Sequence, residues 1–212
     1  MMSRIVMHPT YFPDIISFAH LAQQEVVWEV QDHYQKQTYR NRTYIATDQG
    51  RQMLNIPIKH VGGSQGRQDY RSVKLENSYP WQRQHWRGIQ TAYRTSPFFE
   101  FYEDELLPLF KNEFTYLMEL NLETARVLCE CLQLDFPEHK TTRWESDPEG
   151  VVDGRRLVNA KAEYIVTIPE YRQVFMDRHG FLQNLSTLDL LFNLGPEAPA
   201  YLDQLNLKTG DA

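Results

Sequence analysis

The sequence predicts an α/β protein: a small mixed β-sheet with an N-terminal βαβ-like unit and a largely helical middle and C-terminal part. Three observations carry this expectation. Two short β-type runs, Ile5-Val6-Met7 and Val26 to Val30, flank a segment with helical spacing of its apolar residues. The turn composition Thr47-Asp48-Gln49-Gly50 separates two further strand-like runs. From Trp81 to Cys131 apolar residues recur at helical intervals.

The elements follow in chain order. Ile5-Val6-Met7 is a strand stopped by Pro9 and Pro13. Asp14 to Ala22 places Ile15, Phe18, Ala19 and Ala22 on one helical face, and Glu25 to Val30 returns as a strand. Tyr44-Ile45-Ala46 and Met53 to Ile58 form a hairpin, with Pro57 at an edge or strand end because it lacks an N–H. Val61 to Gly66 reads as a loop, and Tyr70 to Leu75 as a further strand. Trp81 to Tyr93 is a helix. Ser96-Pro97 then offers an N-cap and a first-turn proline for the next one. Leu117, Leu120, Val127, Leu128 and Cys131 stripe a third helix. Glu145 to Asp153 reads as a loop and Tyr164-Ile165-Val166 as a strand. Ser186-x-x-Asp189 forms a variant capping box, and Gly195-Pro196 stops that last helix. One domain over 1–212 is expected, strand-rich to 78, helical over 79–140 and mixed over 141–205.

Composition excludes several classes. A net charge of −6 argues against nucleic acid, which calls for a basic face. An anionic small molecule stays open as a partner, since local basic clusters sit readily on acidic surfaces. No apolar run reaches the length of a membrane span, and the N-terminus lacks the long apolar core of a secretory signal, so a cytoplasmic location is expected. Cys129 and Cys131, two apart on a helix, point about 200° away from each other and read as reduced thiols. The histidines are scattered without metal-ligand spacing, and no nucleophile elbow or phosphate loop occurs. No cofactor and no metal are expected. A homo-oligomer is left open.

The candidate chemistry begins with Lys36, Arg40 and Arg42, gathered within the stretch Gln35 to Ile45. If Tyr39 to Ile45 is a strand, Arg40 and Arg42 share a face and could clamp a phosphate or carboxylate. The other reading is a solvated face balanced by acidic neighbours. His8-Pro9-Thr10-Tyr11-Phe12-Pro13 follows the first strand, where open α/β sheets gather ligands, so His8 and Tyr11 are contact candidates; rigid punctuation is the alternative. On the helix from Trp81, Trp86 and Tyr93 share a face, as do Arg87 and Arg94. His85 titrates in the range suited to proton transfer, or is simply packed beside tryptophan. Asn121, an amide on a leucine-striped helix, must find buried partners or face a cavity.

Taken together, the segments HPTYFP, QKQTYRNRTYI, LNIPI, WQRQHW, YRTSPFFEFYEDE, MELN and GFLQNLSTLDLLFNLGP resemble, in this order, the WbqC-like family. The resemblance runs from about His8 to Leu202. It implies a bacterial protein of surface-polysaccharide (O-antigen-type) synthesis, acting as a transferase that moves glycine or another acyl group onto an amino sugar. A non-catalytic sugar- or anion-binding protein of such a pathway is the alternative, so whether the chain is an enzyme stays open. The resemblance carries over to Pro9, Tyr11 and Pro13; to Gln35, Arg40, Asn41 and Arg42; to His85, Tyr93 and Pro97; and to Asn121, Asp189 and Gly195. His8 and Asp14 stand where the family pattern has glutamine and tryptophan. On this basis His85 or His8 would act as catalytic base. Tyr11, Gln35, Lys36, Arg40, Asn41, Arg42, Trp86, Tyr93, Arg94 and Asn121 would bind an anionic substrate, a nucleotide sugar being the expected class.

Overall fold

A computed structural model describes residues 3–59, 67–162 and 166–207. The chain opens with strand β1 (Arg4–Met7), helix α1 (Ile15–Gln23) and strand β2 (Glu25–Trp28). Asp14 caps α1: its carboxylate accepts from the Ser17 amide at 3.1 Å, satisfying one of the orphan donors of the first turn. A hairpin of β3 (Arg42–Thr47) and β4 (Gly50–Asn55) follows, with Gly50 at φ +94 completing the turn. Helices α2 (Trp81–Tyr93), α3 (Phe99–Leu106), α4 (Pro108–Lys111) and α5 (Leu117–Cys131) make the middle. The chain then forms β5 (Val152–Asp153), α6 (Met176–His179), α7 (Thr187–Leu194) and α8 (Ala198–Asp203).

The α/β class predicted from the sequence holds, with the strands divided between two sheets. One has the order β2-β1-β5, all parallel, with Ile5 beside Val26 and Val152. The other is the antiparallel β3-β4 hairpin. Helix α1 crosses between β1 and β2 and packs against α7 and α8. Ile5, Phe18, Trp28, Ile45, Tyr93, Phe99, Leu128 and Phe192 belong to one buried apolar cluster shared by sheet, hairpin and helices.

Four expectations change. Tyr70 to Leu75 is not a strand but a 3₁₀ turn over Tyr70–Ser72 followed by isolated bridges from Lys74 to Tyr116 and Leu75 to Ile58. Ser96 does not cap α3; its hydroxyl donates back to the Tyr93 carbonyl at 2.6 Å and closes α2 instead. Ser186 does cap α7, accepting from the Leu188 amide. Asp189, however, does not reach back; its carboxylate accepts from the hydroxyls of Tyr93 (2.8 Å) and Tyr171 (2.5 Å) and from Gln173 Nε2 (3.0 Å). The loop reading of Glu145 to Asp153 misses β5, which completes the parallel sheet. The loop read at Val61 to Gly66 lies outside the described residues, and so do Tyr164 and Ile165 of the expected late strand.

Gly195, at φ +51, ends α7 as predicted, and the space where a Cβ would stand is filled by the Phe98 ring. Cys129 and Cys131 are free; burial first of all pushes both thiols up to about 12, so they stay protonated. Among the described residues no helix is long and apolar enough to cross a membrane, and no group of His, Cys, Asp and Glu could hold a metal ion.

Candidate functional site

The parallel sheet decides where the cleft lies. β1 delivers His8 just beyond its carboxyl end, β2 leads to Asp32, and β5 delivers Asp153 and Arg155. All three strands run the same way, so these side chains converge beyond one edge, the position at which open α/β sheets bind ligands. β5 approaches β1 closely because Gly154 has no side chain: a Cβ there would lie 2.6 Å from Ile5 Cδ1 and 3.0 Å from the Val6 carbonyl oxygen, which already accepts from the Gly154 amide.

The resulting cleft has a volume of about 590 Å³. Its cationic wall comes from three parts of the chain: Lys36 and Arg40, then Arg67, then Arg155, Arg156 and Lys161. Asp32 and Asp153 are the carboxylates that line it. Trp144, half exposed, stands at its rim with the Arg155 guanidinium 5.6 Å from its ring centre. An acidic chain thus concentrates positive charge in one concavity.

Arg40 forms the floor and is wholly buried. It is not on a strand, since β3 begins at Arg42; the expected common face of Arg40 and Arg42 is therefore absent. Asn121 Nδ2 donates to the Arg40 carbonyl at 2.6 Å and also to the Tyr70 hydroxyl, which itself donates to the Pro9 carbonyl at 2.6 Å. The guanidinium lies 5.2 Å from the Tyr70 ring centre. Its Nη2 donates to His8 Nε2 at 2.7 Å and to Asp32 Oδ2 at 3.3 Å. Its Nε and Nη1 have no hydrogen-bond partner among the described residues. A buried donor left without a partner costs about 1–3 kcal/mol, and an arginine stays charged when buried, so this floor favours any anion that reaches it.

The titrating groups agree with a site tuned by burial. Burial, with the Arg40 charge adding to it, lowers His8 to about 4 against the pull of Asp32, so the ring is neutral at pH 7. Burial pushes Asp32 up. The His8 contact, the hydrogen bond from the His33 amide and the Arg40 charge together outweigh that and bring it to about 2.

The sequence-predicted residues divide into three groups. His8, Gln35, Lys36 and Arg40 line this cleft. Asn41 and Arg42 line a neighbouring one of about 470 Å³, which Lys36 also borders. Tyr11, His85, Tyr93 and Asn121 are packed in the interior, Trp86 is partly buried against the apolar cluster, and Arg94 is exposed. Tyr11 pairs with His85 Nδ1 at 3.0 Å, beneath Trp81. Burial lowers His85 to about 4 and it lines neither cleft. Tyr93 donates to Asp189 and accepts from the Ala46 amide at 3.1 Å. Residue-by-residue reading did not single out Asp32, Arg67, Trp144, Asp153, Arg155, Arg156 or Lys161. The one signal available was the basic run Arg155-Arg156 directly after Asp153-Gly154.

A model of the WbqC-like protein family matches residues 8–164, which begin just after β1 and include β2, β5 and the residues that line the cleft. The chain belongs to the WbqC-like protein family. It is also 28% identical over 200 residues to an uncharacterized protein of Mycobacterium tuberculosis (strain ATCC 25618 / H37Rv), the match covering 80% of this chain and 83% of that protein. No solved structure matches the chain significantly.

Proposed function

We propose that this WbqC-like protein is a transferase of bacterial surface-glycan synthesis that holds a nucleotide-linked amino sugar by its phosphates in the cationic cleft. The observation that carries the reading is the buried Arg40, with two donor nitrogens that no described residue uses. The two nitrogens lie on different edges of the guanidinium, so each can donate to a separate phosphate oxygen. Lys36, Arg67, Arg156 and Lys161 along the walls supply further charge for a diphosphate. Membership in the family supports the glycan pathway; the cleft chemistry supports the anion.

In this reading the sugar's amine attacks an activated glycyl or acetyl donor. His8, which reaches the cleft, takes the amine proton as the new C–N bond forms and the donor's leaving group departs. Ionised Asp32, 2.8 Å from His8 Nε2, stabilises the imidazolium. The enclosed pairing of His85 with Tyr11 favours His8 over His85 for this role.

A second reading rests on one observation. His8, lowered to about 4 and already occupied by Arg40, is a weak base, which favours a binding protein without turnover. The two readings separate in one assay. Purified protein is incubated with nucleotide sugars and glycyl or acetyl donors, and products are followed by mass spectrometry. Turnover lost in His8→Asn but kept in the surface variant His139→Ala establishes the transferase. Ligand binding without product across the panel establishes the binder.

A further inference from the structure

The neighbouring cleft carries its own unused groups. Asn41 is 7% exposed; its Nδ2 donates to Asn55 Oδ1 and to the Ile56 carbonyl, both at 3.2 Å. Its Oδ1 is buried without a partner among the described residues, and so is Arg42 Nε. Both residues line this cleft of about 470 Å³. The protein thus presents one acceptor and one donor, both desolvated and neither used.

That pair selects its occupant. A phosphate dianion would take the Arg42 proton but oppose the Asn41 oxygen, because it only accepts. An ammonium would suit Asn41 and the Glu76 carboxylate but oppose the three cations Arg42, Lys36 and Lys59 that line the same cleft. A hydroxyl, or a secondary amide, donates and accepts at once and satisfies both. The rest of the wall mixes the polar side chains of Gln37, Asn55 and Glu76 with an apolar, ring-bearing part made of Pro57, Ile58 and the rings of Tyr34 and Tyr79, the last 63% exposed. Such faces pack well against the C–H face of a pyranose.

We infer that this second cleft is a saccharide subsite, taking a neutral ring whose hydroxyl or N-acyl group bridges Asn41 Oδ1 and Arg42 Nε. As the place of a sugar substrate it rests on the transferase reading; as a binding site it stands on its own atoms. Lys36 and Gln37 border both clefts, so ligands in the two meet along that segment. Gln37 is held at φ +62, a left-handed conformation that a glutamine seldom adopts and that marks the segment as constrained.

The test is equilibrium binding, which needs no turnover. Methyl glycosides of glucose and of N-acetylglucosamine are followed by saturation-transfer NMR, and inorganic pyrophosphate by calorimetry. Arg42→Gln and the exposed Tyr79→Ala are each expected to weaken the glycosides by about tenfold, the scale of one lost hydrogen bond or packing face, and to leave pyrophosphate unchanged. Lys161→Ala is expected to do the reverse. Absence of glycoside binding to the unaltered protein at millimolar concentration overturns the proposal, as does binding that both variants leave intact. Failure of pyrophosphate alone would instead remove the phosphate reading of the first cleft and leave this one standing.

Discussion

The Nη2 nitrogen of Arg40 stands 2.7 Å from Nε2 of His8. A guanidinium only donates, so the neutral ring offers it a lone pair and keeps its single proton on Nδ1. Asp32 Oδ2 approaches the same Nε2 at 2.8 Å, so two acceptors share one buried guanidinium group. If an anion draws Arg40 toward itself, Nε2 becomes free to take a proton and to donate it in a hydrogen bond to Asp32, which stays ionised.

Anion binding should therefore raise the His8 pKa. Without ligand the ring is expected to titrate near 4. With saturating pyrophosphate two effects act in the same direction, the added negative charge and the loss of the Arg40 contact. Following the His8 ring protons by NMR across pH, an upward movement of one unit or more is expected. An unchanged midpoint would mean that Arg40 does not meet the anion.

Acid should destabilise the fold in a defined window. His8 and His85 fall from 6.5 to about 4 on folding, chiefly through burial. Between those values the unfolded chain binds protons that the folded chain refuses, so stability is full above pH 6.5 and is lost as pH drops toward 4. Each ring contributes up to about 3 kcal/mol of that loss. Asp32, held near 2, adds to it only at lower pH. Asp14 and Asp189, raised by burial, oppose it because the fold takes their protons first. Urea unfolding at a series of pH values should show the decline, and His8→Asn should make it shallower. A profile flat from pH 7 to 4.5 would contradict the neutral, buried state of both rings.

Much of the fold was legible because periodicity is a local property. The βαβ opening, the hairpin and the helices α2 and α5 are announced by residues within one element's length, and the structure has them at nearly those bounds. β5 was not: two residues hold no period, and Val152–Asp153 becomes a strand only by pairing with β1. Asp189 was misread for the same kind of reason, since its three donors come from Tyr93, Tyr171 and Gln173 rather than from its own helix. At the site, Lys36 and Arg40 stood out as a cluster, but nothing local says that Arg40 turns inward. That is decided by Asn121, 81 residues away, which fixes its carbonyl, and by the ring of Tyr70.

Asn121 therefore should act on anion binding without touching the anion. Its Nδ2 holds the Arg40 carbonyl and the Tyr70 hydroxyl, and removing it leaves buried acceptors unmatched. Asn121→Ala is expected to cost about 1–3 kcal/mol in stability. It should also weaken pyrophosphate several-fold in the protein that remains folded. Asn121→Asp serves as a second variant that keeps the volume but removes the donors. Full affinity in both would show that the Arg40 backbone needs no such anchor.

The exposed cations give the complementary result. Lys36 and Lys161 line the cleft and are exposed. Lys36→Ala and Lys161→Ala should leave the melting temperature unchanged, as surface substitutions usually do. Each should lower pyrophosphate affinity by a few-fold at low salt, an effect that fades as salt screens the charge. Affinity independent of both lysines would place the anion elsewhere.

The closest test of the architecture is at Gly154. A methyl group there would meet the side chain of Ile5 and, at 3.0 Å, the backbone oxygen of Val6, which a shift of side chains alone cannot relieve. β5 must then part from β1, breaking the bond from the Gly154 amide to that oxygen. Overpacking of this kind costs about 1–3 kcal/mol. The displacement also carries Asp153 and Arg155 away from His8, because all three are set by the same strand pairing. Gly154→Ala is thus expected to lower both the melting temperature and pyrophosphate affinity, whereas the turn variant Gly50→Ala, strained at φ +94 but remote from the cleft, should lower only the first. Equal loss of affinity in both would show that binding follows global stability, and a Gly154→Ala protein with unaltered affinity would separate β5 from the site.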